Sequence, residues 1–424
     1  MRITVVGGGY VGLVSGACLA ELGHDVVIID TVFAKVDMIN SKKPPIFEKG
    51  LEDILKRTAG KNLSASCSYE SVSDSDVSLI CVGTPPFEDG SANLEYIRSA
   101  AASIGNELKG KAGKYHVVAV KSTVPPGTTE NIVKKTVLEC SKRSEDDIGF
   151  AMNPEFLREG LAVEDFMNPD RIVIGSSDSR AGGVIEQMYV KLNASLLHTG
   201  ITAAEMIKYA SNAFLATKIS FSNEIGNICK SLCIDVYEVM KGVGMDHRIS
   251  PYFLNAGAGF GGSCFPKDVS ALVSLAKEKN QNPVLLKSVL DVNKTQPLKM
   301  TEILKSRTGS LKDKKIAVLG LAFKDNTDDI RDSRSIPVIN ALLLEEADVY
   351  AFDPLASENM KSLFPQITYC SSASDALKDA DGCLVMTEWP QFSKLNEEFN
   401  QMKSKIIIEG RRILTIDEKE GICW

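Results

Sequence analysis

The chain has 424 residues, and its 48 lysines and arginines against 55 aspartates and glutamates give a formal net charge of −7. This length suggests about two to three domains. The mild acidity argues against a general nucleic-acid binder, which needs a basic surface, but leaves room for a local basic pocket that holds a phosphorylated small molecule. No apolar run approaches the ~18 residues that cross a bilayer, so we expect no membrane association. No signal-peptide pattern stands at the start of the chain.

Ten scattered cysteines form no C-x-x-C pair, which is typical of reduced thiols rather than of a disulfide framework. We therefore predict a cytoplasmic protein. The histidines, His24, His116, His198 and His247, have no metal-ligand spacing, so we predict no metal site.

The first part of the chain alternates short β-branched runs with helical patterns. Strands are predicted at residues 3–6, 25–29, 77–82, 117–120, 148–152 and 172–174. Short apolar strands separated by helices indicate a parallel sheet that helices cover on both faces. We assign this pattern to an N-terminal domain of residues 1–198.

The middle of the chain is helical. Residues 202–243 contain no proline and carry apolar residues near helical spacing, which predicts a long helix. A second helix is predicted to begin near Pro266. We assign residues 199–300 to a central helical domain and expect its long helix to form a homodimer interface.

The last part, residues 301–424, repeats the pattern of the first. Its predicted strands are 315–319, 347–353, 384–386 and 406–408. The predicted fold class is therefore α/β, with two doubly wound Rossmann-like domains joined by a central helical region with one long helix.

The sequence GGGYVG at 7–12 is a G-x-G-x-x-G pattern between a predicted strand and a predicted helix. Gly7 allows a tight turn, Gly9 lets the backbone approach a pyrophosphate, and Gly12 allows close packing of helix on strand. Asp30 ends the next strand, where its carboxylate suits ribose hydroxyls and repels a 2′-phosphate. We therefore predict NAD as the cofactor. Lys35 either pairs with the adenosine side or is a solvated helix lysine.

The corresponding turn of the third part, after Gly320, has no second or third glycine in register. We expect it to hold a different ligand from the first turn. Lys324, Arg331 and Arg334 indicate an anionic ligand, and solvated loop residues are the equal alternative.

Residues 257–268, GAGFGGSCFPKD, form a glycine-rich loop that we interpret as pliable, followed by a helix start. Cys264 would stand just before the helix, where the helix dipole and Lys267 favour the nucleophilic thiolate. A nucleophilic cysteine beside NAD can oxidise an aldehyde to an acid through a thioester. A structural cysteine is the alternative. Asp268 lies within one helical turn and would act on the same group.

Other polar residues are candidates for the same chemistry. Lys208 and Asn212 share one helix face and suit a developing alkoxide, although such pairs are usually solvated. Glu155 and Glu159 follow a predicted strand, where carboxylates often cap helices. Thr123 also follows a strand, and its hydroxyl is suited to position a catalytic water.

These segments occur in chain order as GGGYVGL at 7–13, VGTPP at 82–86, KSTVPPGT at 121–128, NPEFLREG at 153–160, NPDRIVIG at 168–175, GMDHRIS at 244–250, GFGGSCFPKD at 259–268 and GLAFK at 320–324. Together they resemble the UDP-glucose/GDP-mannose dehydrogenase family of nucleotide-sugar 6-dehydrogenases, and its UDP-glucose branch in particular. The resemblance covers essentially the whole chain.

The resemblance implies three sets of site residues. The implied NAD contacts are Gly7, Gly9, Tyr10, Val11, Gly12, Asp30, Lys35, Thr84, Thr123, Glu159, Lys267 and Arg331. The implied UDP-sugar contacts are Glu155, Phe156, Leu157, Arg158, Glu159, Lys208, Asn212, Arg248, Tyr252, Phe253, Leu254, Asn255, Ala256, Gly261 and Lys324. The implied catalytic residues are Cys264 as nucleophile, Lys208 and Asn212 as oxyanion contacts, Asp268 and Thr123 as water-handling groups, and Glu155 as general acid or base. Arg248 is implied to reach the substrate across a dimer.

The implied reaction is the oxidation of UDP-glucose at C6 to UDP-glucuronate with two NAD and water, through a thiohemiacetal and a thioester on the cysteine. Three alternatives stay open. A sister enzyme would act on a UDP-N-acetylhexosamine or GDP-mannose. An ordinary two-electron dehydrogenase would keep Cys264 only as a structural residue. A non-catalytic sensor would bind NAD or a nucleotide sugar without turnover.

Overall fold

The computed structural model describes residues 1–109 and 114–424, which form two compact units, Met1–Ser211 and Asn212–Trp424. The long helix that joins the units in sequence begins at Ile201 and ends at Ser231. Among the described residues, no helix is both long and apolar enough to cross a membrane.

The first unit is built on an eight-stranded sheet with the order β3-β2-β1-β4-β5-β6-β7-β8. All neighbouring strands pair in parallel except β6 and β7, which are antiparallel. The strands are β1 (Arg2–Val6), β2 (Asp25–Ile29), β3 (Leu63–Ser66), β4 (Val77–Ile80), β5 (His116–Val120), β6 (Ile148–Met152), β7 (Arg171–Ser176) and β8 (Ser195–Thr199). The helices are α1 (Tyr10–Glu21), α2 (Phe33–Asn40), α3 (Leu51–Thr58), α4 (Glu95–Glu107), α5 (Lys135–Ser141), α6 (Ala162–Met167), α7 (Ser179–Gln187) and α8 (Ile201–Ser231). Between strands lie a 3₁₀ turn at Glu70–Asp74 and a π turn at Thr129–Lys134.

The central strands were predictable because helices cover both of their faces. Every residue of β4, β5 and β6 is buried, so these strands are nearly continuous apolar runs. The strands β3 and β8 were not predicted from the sequence. In β3 only two of the four residues, LSAS, are apolar, and β8 is an edge strand with exposed side chains.

The predicted helix over residues 202–243 is confirmed in its first part and wrong in its last. The chain leaves the helix after Ser231, and Cys233 has a left-handed φ of +56°. Asp235 then accepts a hydrogen bond from the Tyr237 backbone N–H (2.9 Å) and starts α9 (Val236–Gly244). This side-chain cap gives the chain an alternative to continuing the helix.

The second unit contains a six-stranded, fully parallel sheet with the order β11-β10-β9-β12-β13-β14, which repeats the β3-β2-β1-β4 arrangement of the first. Its strands are β9 (Lys315–Leu319), β10 (Asp348–Phe352), β11 (Thr368–Tyr369), β12 (Gly382–Val385), β13 (Ile407–Glu409) and β14 (Glu420–Gly421). Its helices, after α8 and α9, are α10 (Phe265–Glu278), α11 (Val284–Thr295), α12 (Leu298–Thr308), α13 (Ser335–Leu344), α14 (Ser357–Lys361) and α15 (Ala373–Leu377), with 3₁₀ turns at Pro390–Lys394 and Glu398–Gln401. The fold-class prediction is confirmed, although the two-residue edge strands β11 and β14 were missed.

The parallel strands bring several predicted site residues of the first unit to one edge of its sheet. Gly7, Asp30, Thr84, Thr123 and Glu155 follow the carboxyl ends of β1, β2, β4, β5 and β6 respectively. Ligands of open α/β sheets bind outside this edge, near the point where the strand order reverses.

Candidate active site

The glycine turn of the first unit leaves space above a helix N-terminus. Gly7 has a φ of +107°, and a Cβ there would lie 2.9 Å from the Cys81 carbonyl oxygen. A Cβ at Gly12 would lie 1.8 Å from the Gly7 carbonyl oxygen, so helix and strand touch there. A Cβ at Gly9 would meet no described atom within 4 Å, and no described side chain caps α1. A pyrophosphate therefore has both room and backbone N–H donors at Gly9.

The Asp30 carboxylate stands beside this turn. It accepts hydrogen bonds from the backbone N–H groups of Gly8 (2.9 Å) and Val32 (2.8 Å), and the Lys35 ammonium lies 4.0 Å away. These bonds fix the carboxylate at the position where a dinucleotide presents its adenosine ribose. The open cradle and the fixed carboxylate together fit NAD.

Two further strand ends are joined to each other. The Thr84 hydroxyl, after β4, donates to the Thr123 carbonyl oxygen, after β5 (3.0 Å). The Ser122 hydroxyl donates to the Val82 carbonyl oxygen (2.6 Å). The two segments therefore hold one another in place next to the glycine turn.

A buried carboxylate fixes the segment after Thr123 to α8. Glu205, fully buried near the start of α8, accepts from the backbone N–H groups of Gly127 and Thr129, the latter at 2.8 Å. Burial raises the pKa of Glu205. Glu205 lies one helical turn before Lys208, so Lys208 and the Thr123 segment share a common support.

Glu155 and Lys208 form a buried ion pair, with 3.0 Å between Oε1 and Nζ and side chains only 6% and 4% exposed. The Leu157 backbone N–H also donates to Glu155. Two cations lie near the Phe156 ring, with the Lys208 ammonium 5.3 Å and the Arg171 guanidinium 3.9 Å from its centroid. The pair places a fixed cation and a fixed carboxylate where water is largely excluded, and there their electrostatic effect on a reacting group is strong.

The loop that carries Glu159 is fixed by a residue that the sequence analysis missed. Glu48 accepts hydrogen bonds from the Tyr10 hydroxyl and from the backbone N–H groups of Gly160 (2.7 Å) and Ala162 (2.9 Å). Burial and the Glu48 carboxylate raise the pKa of Tyr10. This network joins the first turn of α1 to the Glu159 loop. Glu48 lies over 100 residues from Gly160 in sequence, so no local pattern revealed the contact.

In the second unit, Cys264 stands at the N-terminus of α10, two residues before Pro266 in the first turn. Its side chain is exposed, and its carbonyl oxygen accepts the Asp268 backbone N–H (2.8 Å). The Asp268 carboxylate is 1% exposed, accepts from the Asn212 side-chain amide (2.6 Å) and forms an ion pair with Lys267. The prediction that α10 begins near Pro266 is confirmed, and Asp268 fixes the Asn212 amide next to this helix start.

The glycine-rich loop before Cys264 is clamped, so its interpretation as a pliable loop is wrong. Asn293 accepts the Phe260 N–H (2.7 Å) and donates to the Phe260 carbonyl oxygen (2.9 Å). A Cβ at Gly259 would lie 2.5 Å from Asn293 Oδ1, and one at Gly261 would lie 2.3 Å from the Asp332 carbonyl oxygen. The glycines therefore serve close packing, which fixes the approach to the cysteine.

The predicted anion-binding residues lie on the segment that packs against this loop. A Cβ at Gly262 would lie 2.7 Å from the Phe323 ring, and the Gly262 N–H donates to the Arg331 carbonyl oxygen (2.9 Å). The Lys324 ammonium lies 5.7 Å from the Phe323 ring centroid. The guanidinium of Arg334, whose side chain is 12% exposed, donates to the Asp332 carbonyl oxygen (2.7 Å). Lys324 and Arg331 therefore lie on the segment next to the glycine-rich loop that precedes Cys264. Arg334 instead stabilises the backbone at Asp332.

Two arginines of the predicted substrate set are held by nearby carboxylates. Arg158 pairs with Asp165 (2.6 Å), and Arg248 pairs with Asp246 (2.6 Å). In the predicted stretch 252–256, Tyr252 is 74% exposed while Leu254 and Ala256 are buried. Arg158 and Glu155 lie in the first unit, and Arg248, Lys324 and Cys264 lie in the second.

The glycine turn with its aspartate, set on a doubly wound and mostly parallel sheet, defines an NAD-binding α/β protein. Comparison with known proteins identifies a family within this class. Models of the UDP-glucose/GDP-mannose dehydrogenase family match in three parts: the NAD binding domain at residues 1–193, the central domain at 202–295 and the UDP binding domain at 317–416.

Known relatives match over the full length. The chain is 46% identical to UDP-glucose 6-dehydrogenase AglM of Haloferax volcanii, covering 100% of this chain and 99% of the relative. It is 43% identical to UDP-glucose 6-dehydrogenase YwqF of Bacillus subtilis, covering 99% and 95%. A solved UDP-glucose dehydrogenase from Pyrobaculum islandicum superposes with a TM-score of 0.95 at 41% identity, covering 100% and 98%.

The chain therefore belongs to the UDP-glucose/GDP-mannose dehydrogenase family and is an NAD-dependent oxidoreductase. The predictions of the family, the enzyme class and the cofactor are confirmed. The match to a UDP binding domain supports a nucleotide sugar as the substrate. The predicted domain boundaries, the individual site residues and the homodimer stay predictions.

Proposed function

We propose that the chain oxidises UDP-glucose at C6 to UDP-glucuronate, using two NAD⁺ and one water and releasing two NADH. Full-length relatives at 46% and 43% identity carry the name UDP-glucose 6-dehydrogenase. The observation that carries the mechanism is the position of Cys264, at a helix N-terminus behind a clamped loop, next to a buried Asp268 that holds Asn212. An exposed thiol in this position is suited to attack a carbonyl carbon.

The glycine turn and Asp30 would hold NAD⁺, which when bound would supply the hydride acceptor for each of the two oxidations. In the first oxidation Lys208 and Asn212 hold the C6 oxygen. Lys208 supplies a fixed positive charge, and Asn212 supplies the N–H that Asp268 leaves available. The hydroxyl proton leaves through water positioned by Asp268. The product of this step is an aldehyde.

Cys264 then adds to the aldehyde carbon, forming a C–S bond and a thiohemiacetal. Lys208 and Asn212 stabilise the negative charge that develops on the C6 oxygen during this addition. Loss of the second hydride leaves a thioester on the sulfur. The cysteine thereby keeps the half-oxidised sugar bound between the two oxidations.

Hydrolysis of the thioester completes the cycle. Glu155 accepts a proton from the attacking water, which Thr123 positions, and the C–S bond breaks to release the uronic acid and the cysteine. The ion pair with Lys208 fixes the Glu155 carboxylate in a buried environment, so its direction is set before water arrives.

The same chemistry on another nucleotide sugar is the second candidate. A solved UDP-D-ManNAc dehydrogenase from Pyrococcus horikoshii superposes with a TM-score of 0.88 at 27% identity, so related folds accept different sugars. The substrate is therefore tested by comparing UDP-glucose with UDP-N-acetylhexosamines and GDP-mannose at equal concentration.

The decisive measurement is the amount of NADH formed per limiting UDP-glucose, for the wild type and for Cys264→Ser. We expect two NADH per sugar in the wild type and loss of this yield in the variant, because serine cannot form the thioester. One NADH per sugar would indicate a two-electron dehydrogenase that releases the aldehyde. If no nucleotide sugar yields NADH, the alternative of a non-catalytic, ligand-binding sensor would be favoured.

A further inference from the structure

A buried lysine that the proposed mechanism does not use lies directly behind the first unit's site. Lys121, 4% exposed, follows β5, and its ammonium has three acceptors: Asn153 Oδ1 (3.1 Å), the Asn153 carbonyl oxygen (3.4 Å) and the Tyr189 hydroxyl (3.2 Å). The rings of Tyr189 and Phe166 lie 5.7 and 6.0 Å from the same nitrogen. All of these partners are neutral.

A buried cation among neutral partners costs stability relative to an apolar side chain of the same size. Here it joins separate parts of the fold. The Tyr189 hydroxyl also bonds to Asn153 Oδ1, and the Asn153 amide donates to the Val173 carbonyl oxygen of β7 (2.9 Å). The network therefore ties the ends of β5 and β6 to each other and to β7.

The positions of Lys121 and Asn153 in the sequence connect this network to two residues of the proposed mechanism. Lys121 precedes Thr123 by two residues, and Asn153 precedes Glu155 by two. The two residues proposed to act on water in thioester hydrolysis thus emerge from the two segments that Lys121 joins. A misplacement of about 1 Å in such groups is enough to slow a reaction on the order of 100-fold.

We propose that Lys121 is a positioning residue for thioester hydrolysis, which fixes Thr123 relative to Glu155 through Asn153. This inference rests on the proposed function.

The test is a single-turnover experiment on Lys121→Met, which keeps an unbranched side chain one atom shorter and removes its charge and three hydrogen bonds. Both NADH per active site should form at close to the wild-type rate, because the oxidations use other residues. Hydrolysis should then slow on the order of 100-fold. Intact-mass spectrometry should show a covalent UDP-sugar adduct on the enzyme that disappears when Cys264→Ser is added. The steady-state kcat and the KM for UDP-glucose should fall together and leave kcat/KM unchanged, because the slowed step follows the oxidations.

Two further variants make the result specific. Lys191→Met makes the same chemical change on the surface of the same unit, where Lys191 donates to the Leu22 carbonyl oxygen, and should accumulate no adduct. Tyr189→Phe removes one acceptor of Lys121 without changing any charge and should accumulate less adduct than Lys121→Met. If Lys121→Met does not fold, Tyr189→Phe decides the question.

The proposal is overturned if the wild type yields two NADH per sugar and neither Lys121→Met nor Tyr189→Phe accumulates an adduct. A uniform loss of both the NADH burst and turnover in a folded variant would also overturn it, since that result indicates a general structural role. A wild type that forms no NADH from nucleotide sugars would instead refute the proposed function.

Discussion

Asp30 and Asp353 follow corresponding strands of the two sheets, but their hydrogen bonds differ. Asp30 accepts from two backbone N–H groups beside an open glycine turn. Asp353 is buried and accepts from the backbone N–H groups of Leu321, Ala322, Leu355 and Ala356 and from the Trp389 indole N–H. With its oxygens fully used, Asp353 has no acceptor to offer a ribose. It instead fixes the turn that leads to Lys324.

A second residue-scale feature predicts how stability depends on pH. His116 is buried in β5, where its Nδ1 lies 3.1 Å from the Ser75 carbonyl oxygen and its Nε2 lies 3.0 Å from the Ser78 hydroxyl. A neutral ring satisfies both contacts, and burial lowers the pKa of His116 from 6.5 to about 4. Below pH 6.5 the unfolded chain therefore binds a proton at His116 that the folded chain does not.

Stability should therefore be lost as pH falls from 6.5 towards 4. The contribution of His116 between pH 7.5 and pH 5 should be about 2 kcal/mol of unfolding free energy. Urea unfolding at the two pH values measures it in the wild type and in His116→Gln, which should depend less on pH. His247→Gln, at a ring 94% exposed, is the matched control. An equal pH dependence in the wild type and His116→Gln would contradict the assignment.

At the scale of elements, two glycines at the N-terminus of α1 have different roles: Gly9 leaves space for the cofactor, and Gly12 allows helix and strand to pack closely. A methyl group at Gly9 would enter open space, and Gly9 has a φ of −73° that alanine adopts readily. Gly9→Ala should therefore keep the stability of the wild type while raising the KM for NAD about tenfold or more, since the methyl group occupies the space of the pyrophosphate.

Gly12→Ala is the matched control for this prediction. Its methyl group would lie 1.8 Å from the Gly7 carbonyl oxygen, so unfolding free energy should fall by about 3 kcal/mol or more. Thermal unfolding and the KM for NAD, measured on both variants, check the contrast. A destabilised Gly9→Ala with an unchanged KM would show that the cofactor does not approach this turn.

The elements also show how far a sequence predicts structure. Local apolar runs predicted β1, β2 and β4–β7 because burial on both faces leaves a clear pattern. The edge strands β3, β8, β11 and β14 carry few buried residues and were missed. The helix α8 ends after Ser231, and the one local sign of a new helix is the capping residue Asp235. The helical spacing of the apolar residues around Asp235 outweighed this single residue in the prediction.

At the scale of the whole molecule, an exposed apolar row on α8 predicts self-association. Phe214, Phe221 and Ile228 follow one another at intervals of seven residues and are 65%, 50% and 52% exposed. A row of large exposed apolar side chains along one helix is typical of an interaction site. A second copy of the chain would cover it by packing its own α8 against this row, so we predict a homodimer.

Phe221→Asp should convert the dimer to a monomer, because each copy would bury a carboxylate in the interface. Sedimentation velocity at working concentration measures the change. Leu344→Asp makes a comparable change at a leucine of α13 that is 85% exposed, and should leave the sedimentation coefficient unchanged. A wild type that sediments as a monomer would refute the prediction.

The sequence by itself determined the fold class, the glycine turn for NAD and the position of Cys264 before α10. These features depend on neighbours within a few residues: apolar periodicity, the backbone freedom of glycine and the preference of proline for a first helical turn. The order of the motifs along the chain was enough to indicate the family.

Only the tertiary structure decided which side chains support the site. Glu48 with Gly160, Lys121 with Asn153 and Tyr189, and Asp353 with Trp389 join segments 32 to 112 residues apart. Such contacts depend on how the strands are ordered in each sheet and on which groups are buried together. A buried polar group must find a partner wherever packing places one, and a pattern of neighbouring residues does not record that choice.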